Sequence, residues 1–405
     1  MTSGKGSRKL VPELTPGPWL RLTALAAAAA CGGAVVSGAL ELGAAHRGLS
    51  ALALPPLVAL VTAAWVAHRR LLGPALSALV AFLAAALVTP RPAHLALAGL
   101  SLASALVAAA WCFRGEPVAS ASWRDYVTLT KPRIMTLLLL TGAAGMFVGA
   151  RGVPDLSTFA VTMAGLALAC GGASSLNHVL DRDLDRLMRR TGHRPVAEER
   201  VTPARALEFG LTLSAFSFVL LASLVNVLTA VLALVGNLFY VLVYTRWLKR
   251  STPQNIVIGG AAGAVPPLVG WAAATGNLTL PALFLFLIVF FWTPPHFWAL
   301  ALVIKRDYAA ARIPMLPVVR GDDETARQIV WYSLVLVAVT LLPFAWRTAG
   351  VLYLAAALLL GALFLRLAWR LRRETTTLRA RALFKFSLLY LALLFVALAV
   401  DPLIG

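Results

Sequence analysis

The sequence predicts an all-α protein, a polytopic transmembrane helical bundle. Mean hydropathy is +0.82, only 13% of the 405 residues are charged, and apolar runs of roughly 20 residues recur along the chain, the length of helix that crosses a bilayer core. A soluble reading is excluded by this composition, so the length counts spans rather than two soluble domains.

Apolar spans are expected near residues 19–44, 50–66, 72–89, 93–113, 133–150, 157–180, 203–224, 226–245, 255–273, 280–303, 327–345, 349–369 and 383–401, thirteen in all. The first follows a basic start with Pro16 and Pro18, and its length marks a retained helix rather than a cleaved signal peptide. The distribution of Lys and Arg supports the alternation of sides. With the N-terminus inside, all but four of the 36 basic residues fall in inner segments, and the exceptions are Arg47, Arg91, Arg151 and Arg347. The net charge of +19 is therefore a property of the cytoplasmic face. It suits anionic lipids and anionic substrates, and no nucleic acid is needed to explain it. Cys31, Cys112 and Cys170 lie singly in or beside apolar spans, without the spacing of a disulfide framework or zinc site.

One inner segment holds unusual chemistry: NHVLDRDLDRLMRRTGHRP, residues 177–195, carries three aspartates and five arginines beside an apolar run. If the helix continues, Asn177, Asp181 and Asp185 stand at i, i+4 and i+8, drift only ~40° per step and share a face. Two carboxylates and an amide oxygen form the hard-oxygen set that Mg²⁺ accepts when its other ligands are water and substrate phosphates. Asp183 faces away and is placed to pair with Arg186 at i+3. The arginines, Arg182, Arg186, Arg189, Arg190 and Arg194, supply charge-assisted donors for phosphate oxygens.

A second inner segment follows in WTPPHFWALALVIKRDYAAARIPMLP, residues 292–317. Pro294 and Pro295 interrupt a span, which is tolerated where the freed carbonyls find protein partners or line a cavity, so the pair marks either a pocket wall or a packing kink. Lys305, Arg306 and Asp307 then emerge before Pro314. His296, some two turns inside the span, is costly there unless it has a function. In NIVIGGAAGAVPP, residues 255–267, Gly259 and Gly263 form a GxxxG face, read first as close helix packing and second as substrate contact.

Four strings resemble one family together: LTKPRIMTLLLLT (129–141), NHVLDRDLDRLMRRTGHRP, YTRWLKRSTPQNIVIGGAAGAVPPLVGW (244–271) and PHFWALALVIKRDYAAARIPMLPV (295–318). The Asn177–Asp181–Asp185 set is similar to the first aspartate motif of the UbiA-type membrane prenyltransferases. The longer strings narrow the resemblance to the protohaem IX farnesyltransferases, or haem O synthases. The resemblance implies a nine-helix UbiA-like unit over residues 119–405, preceded by a transmembrane extension of about four helices, residues 1–118, whose role the family does not explain.

The resemblance further implies that Asn177, Asp181 and Asp185 hold Mg²⁺ against farnesyl diphosphate. Lys131, Arg133, Arg186, Arg190, Lys249, Lys305 and Arg306 would neutralise the leaving diphosphate, with Asp181, Asp185, Asp307 and Lys305 closest to the chemistry. The acceptor would be haem B, a substrate rather than a prosthetic group, with His296 and Tyr308 as haem contacts. Haem A synthase and cytochrome oxidase assembly factors would be partners, in the inner (plasma) membrane of a prokaryote with the active-site loops cytoplasmic. At the second motif, Ala311 stands four residues after Asp307 and Tyr308 follows it directly, as in the haem-modifying branch rather than the quinone branch. The chain departs from the pattern at Arg312, where the family leads one to expect glycine. The rival readings are a prenyltransferase of an aromatic quinone precursor and, more remotely, a membrane transporter. In the extension, His46, His68 and His94 raise haem ligation, although each lies near a span end, where a solvated histidine is ordinary.

Overall fold

In a computed structural model, residues 18–39, 53–61, 72–87, 98–99, 101–102, 104–108 and 121–404 are described, and helix is the only regular structure among them. The first helices are α1 (Pro18–Ala39), a segment at 53–61, and α2 (Leu72–Leu87). The main unit then contains α3 (Trp123–Leu129), α4 (Pro132–Ala150), α5 (Leu156–Leu180), the short α6 (Arg182–Leu187), α7 (Pro203–Leu224), α8 (Val227–Ser251), α9 (Asn255–Thr275), α10 (Leu280–Val303), the short α11 (Lys305–Ala310), α12 (Gly321–Ala345), α13 (Val351–Arg373) and α14 (Thr377–Ile404). Among the described residues, nine helices, α4, α5, α7 to α10 and α12 to α14, are long and apolar enough to cross a membrane. The chain is an integral multi-pass membrane protein.

Local signals set where these helices begin. Asp155 accepts from the Thr158 N–H, Thr202 from the Arg205 N–H and Asn226 from the Thr229 N–H, each satisfying a donor that the first helical turn leaves free. Pro132 and Pro203 occupy first-turn positions, where a missing N–H costs nothing. The span ends expected from hydropathy hold closely, but α8, α12, α13 and α14 run several residues beyond the apolar runs. Those overruns lie at the end of the bundle that carries the basic loops, except that α14 also continues to Ile404 at its other end.

Helix α5 packs along α7, α9 lies against α4 and α10, and α10 is held by α12 and α14. The closest backbone approach joins α4 to α9, where a Cβ on Gly270 would run into the Gly142 carbonyl and one on Gly145 into the Pro267 carbonyl. This corrects the expectation for the GxxxG pair. Gly259 instead makes room for the Tyr244 ring, and Gly263 faces open space. The largest apolar cluster binds α10, α13 and α14 through Trp292, Trp298, Tyr353, Phe364, Tyr390 and Phe395. In that interior, the Trp292 indole N–H donates to the Ser387 carbonyl at 2.8 Å, and the buried Asp401 accepts from the Gly350 and Tyr353 N–H groups at the start of α13. Pro294 and Pro295 are buried within this packing, which favours the kink over the pocket wall.

At the other end of the chain, α1, 53–61 and α2 share a small cluster of Ala24, Ala27, Cys31, Leu57, Leu60 and Ala78. Val35 and Leu102 extend it onto Leu166 of α5 and Leu221 of α7. His46, His68, His94, Cys112 and the boundary at residue 118 lie outside the described residues.

Candidate active site

The chemistry gathers where α5 ends. Helix geometry weakens at Asp181 (φ −95°, ψ 3°), yet the Asp181 N–H still donates to the Asn177 carbonyl at 2.9 Å and the Asp185 N–H to the Asp181 carbonyl at 2.8 Å. The four-residue spacing therefore survives the junction with α6, and the three side chains remain on one face, all buried.

Each of these groups meets a cation from a different element. Lys131, at the start of α4, donates to Asn177 Oδ1 at 2.6 Å. Lys249, near the end of α8, donates to Asp181 Oδ2 at 2.5 Å. Arg194, in the loop after α6, places one nitrogen 2.9 and 2.8 Å from the two Asp185 oxygens. The Asn177 amide closes the network by donating to Asp181 Oδ2 at 2.7 Å and to the Thr245 hydroxyl at 3.1 Å. Residues Phe239–Leu248 of α8 wind as a π-helix, a widened form that often marks functional sites, and they carry Thr245 and lead into Lys249. Lys131 is held in the left-handed region at φ 51°, a strained conformation for a side chain of its size. Burial, with the Arg194 charge nearby, pushes its ammonium well below the usual lysine range.

The donor set fits a hard divalent cation on one direct observation. Asp181 Oδ1 is buried, receives no hydrogen bond and has only the Arg250 guanidinium 3.9 Å away. No cluster of three His, Cys, Asp or Glu side chains occurs among the described residues. Any ion here must thus draw further ligands from water and a substrate's phosphates, as Mg²⁺ does.

The second basic loop reaches the same place through the Asp307 side chain. Asp307 Oδ2, on α11, accepts from the Arg190 N–H at 3.2 Å and so ties the two loops together. Tyr308 is buried beside them among Leu184, Met188, Ile256 and Ile313, and burial pushes its hydroxyl above the ordinary tyrosine value.

Other expected residues stand apart. Arg186 pairs with Glu199 and with the Ala197 carbonyl, while Asp183 takes a two-toothed fork from Arg250 at 2.7 and 2.8 Å. The expected Asp183–Arg186 pair therefore does not form, because the α8 end comes closer to Asp183 than the next turn of its own helix. That fork lowers the Asp183 carboxyl to about 2. Lys305 turns to Asp322 at 2.7 Å rather than to the aspartate face. Arg133 and Arg306 are exposed. His296 is stacked between Trp292 (4.2 Å) and Phe384 (4.8 Å), and its Nδ1 is 2.7 Å from the Ser387 hydroxyl. Only Nε2 is left to meet a ligand.

Sequence reasoning undervalued three groups. Arg194 was one arginine in a basic loop, while Thr245 and Arg250 lay within the string 244–271 without a role of their own. His178 is buried beside Asn177 with neither ring nitrogen hydrogen-bonded.

The profile of the UbiA prenyltransferase family matches residues 138–394. The protohaem IX farnesyltransferase of Roseiflexus sp. (strain RS-1) is 49% identical over 356 residues, covering 88% of this chain and 62% of that protein. The chain thus spans less than two thirds of the length of the Roseiflexus relative. The protohaem IX farnesyltransferase of Symbiobacterium thermophilum is 54% identical over 280 residues, 69% of this chain and 94% of its own length. Among solved structures, one of a digeranylgeranylglyceryl phosphate synthase superposes with a TM-score of 0.59 at 18% identity, covering 69% of this chain and 98% of that one. A UbiA homologue of Archaeoglobus fulgidus bound to GPP and Mg²⁺ gives 0.52 at 17%, covering 68% and 99%. The chain belongs to the UbiA prenyltransferase family, and within it to the protohaem IX farnesyltransferases.

Proposed function

We propose that this protein transfers the farnesyl group of farnesyl diphosphate to a vinyl group of haem B, with addition of water, to give haem O. The observation that carries the proposal is the buried Asn177–Asp181–Asp185 face with Lys131, Lys249 and Arg194 closed on it, in a chain about half identical to protohaem IX farnesyltransferases.

Diphosphate would bind between the aspartate face and the surrounding cations. Mg²⁺, when bound by Asp181, Asp185 and the Asn177 oxygen, would supply charge that stabilises the departing oxygen, as the Archaeoglobus homologue with GPP and Mg²⁺ supports. Lys131, Lys249 and Arg194 would give up their carboxylate and amide partners in part and donate to phosphate oxygens. The allylic C–O bond then breaks, diphosphate leaves with the electron pair, and the farnesyl carbon bonds the terminal vinyl carbon. Water captures the cation left on the inner vinyl carbon and loses one proton. The Asp307 contact with Arg190 would hold the second loop over the site during these steps, and Tyr308 would present its ring to the porphyrin.

This reading sets the basic end of the bundle at the cytoplasmic face of a prokaryotic plasma membrane, because that end collects the Lys and Arg residues. Haem A synthase and cytochrome oxidase assembly factors are the partners that would take up such a product. Membranes containing the protein, supplied with haem B, farnesyl diphosphate and Mg²⁺, should form haem O, identified by mass. Absence of haem O together with prenylation of an aromatic acid would move the protein to the quinone branch.

A further inference from the structure

A groove of about 520 Å³ opens at the basic end, outside the aspartate site. Its walls come from three places: Lys305 on α11, Arg320 to Asp323 where α12 begins, and Arg372, Arg373 and Thr375 where α13 ends. Four cations and two carboxylates line it, a formal balance of +2. The carboxylates are already committed, since Asp322 holds Lys305 at 2.7 Å and Asp323 lies 3.4 Å from Arg372. Arg320 and Arg373 have no ion-pair partner among the described residues. The groove therefore presents two guanidinium groups held by no ion pair, Arg320 where α12 begins, close enough to Glu324 to act on its charge, and Arg373 over the Trp369 ring where α13 ends, beside a lysine and an arginine fixed in place.

Its position relative to the aspartates limits what it can bind. Lys305 faces the groove, and two residues later Asp307 of the same six-residue helix contacts Arg190 of the aspartate loop. The two sites thus flank one helix, whose width with side chains is about 10–12 Å. Beside Asp307, Tyr308, Ile313 and Met315 are buried in an apolar cluster whose edge, at Ile304 and Phe297, is partly exposed. A flat apolar body, reactive at one edge near the aspartates, would bring its opposite edge to the groove.

We infer that the groove is a dicarboxylate subsite that takes the two propionates of the porphyrin substrate, bound chiefly by Arg320 and Arg373. This rests on the farnesyl-transfer reading above. Haem carries its propionates on the side of the macrocycle away from the vinyl groups, and their two charges match the groove's balance of +2. Guanidinium groups favour such carboxylates through paired, charge-assisted hydrogen bonds. An anionic lipid surface is a poorer match, because the groove is a local concavity with a balance of +2 rather than a broad basic face. Lys305 then serves the acceptor, through Asp322 and the groove, rather than the diphosphate.

The test uses the full chain in nanodiscs of neutral lipid, with haem B titrated by absorbance without farnesyl diphosphate, and KM measured for each substrate. Arg320→Gln with Arg373→Gln should weaken haem binding by about tenfold or more, the size of one lost charge-assisted hydrogen bond or more. The haem KM should rise in step and the farnesyl diphosphate KM should hold. The dimethyl ester of haem B should bind the wild type weakly and the variant no worse, and Arg320→Lys with Arg373→Lys should recover part of the loss. Equal binding of haem B by variant and wild type would overturn the inference. So would an equal loss for acid and ester, or an effect confined to nanodiscs containing phosphatidylglycerol, which would make this a lipid site. If the wild type neither binds haem B nor forms haem O, the farnesyl-transfer reading fails as well; if it does both while the variant still distinguishes acid from ester, only the groove assignment fails.

Discussion

Two residues with the same backbone strain show how side-chain chemistry decides what a position is for. Lys131 and Arg312 both sit in the left-handed region, at φ 51° and 52°. That conformation costs a non-glycine residue about 1–2 kcal/mol. Lys131 gains the Asn177 oxygen in return. Arg312 is exposed with no comparable bond in view, and the backbone there explains why the family pattern leads one to expect glycine. Arg312→Gly should therefore stabilise the protein by about 0.5–1 kcal/mol, because it removes that strain while glycine's greater freedom in the unfolded chain offsets part of the gain. A thermal melt in detergent checks this, and a lower midpoint would show that the guanidinium holds something. Asp183 gives a pH-dependent case. Its folded value of about 2 lies below the ordinary carboxylate range near 3.9, so the fork with Arg250 contributes stability above that range and loses it as pH falls toward 2. The stability difference between wild type and Asp183→Asn should stay flat above about pH 5, become small near pH 2 and vanish below it. A gap that changes between pH 6 and 8 would assign the coupling to another group.

At the scale of the element, the junctions matter more than the spans. The nine membrane helices of the main unit were legible because hydropathy reports burial in lipid directly, and each expected span reappears. Their basic-end extensions were not legible, since hydropathy stops at the first charges whereas a helix continues wherever Lys and Arg can reach the interface. The aspartate face was legible from a four-residue spacing, but Lys249 was found only through the family strings, because a π-helical turn has no sequence signature in a single chain. The α4–α9 contact was likewise hidden, since small residues are common in membrane helices and pattern alone chose Gly259 and Gly263. Gly270→Ala tests that contact. Its methyl group would meet backbone rather than a movable side chain, so α4 and α9 must separate, at about 1–3 kcal/mol. The melt should fall by several degrees, and transfer activity should fall further than stability alone explains because Lys131 rides on α4. An unchanged melt would mean that the helices pack elsewhere.

For the whole molecule, the family match falls on residues 138–394, and 280 residues of the chain cover 94% of the Symbiobacterium relative. The N-terminal helices add an apolar contact on α5 and α7, at Leu166 and Leu221, and Leu166 stands eleven residues before Asn177, so roughly 16 Å along α5 from the aspartate face. A chain starting at residue 119 should therefore insert and keep most of its haem O formation, with a lower melting temperature. Complete loss of product from a well-folded truncation would give the extension a part in the reaction.

Everything proposed for the reaction passes through Asp181, the carboxylate with one oxygen held by Lys249 and Asn177 and the other buried and unbonded. The most direct measurement is haem O formation by Asp181→Ala beside wild type, at saturating haem B, farnesyl diphosphate and Mg²⁺, with both proteins shown to fold by their melts. The expected result is a fall on the order of 10²-fold or more, the scale set by loss of a preorganised electrostatic group. A folded Asp181→Ala variant that forms haem O within a few-fold of the wild-type rate would contradict the site.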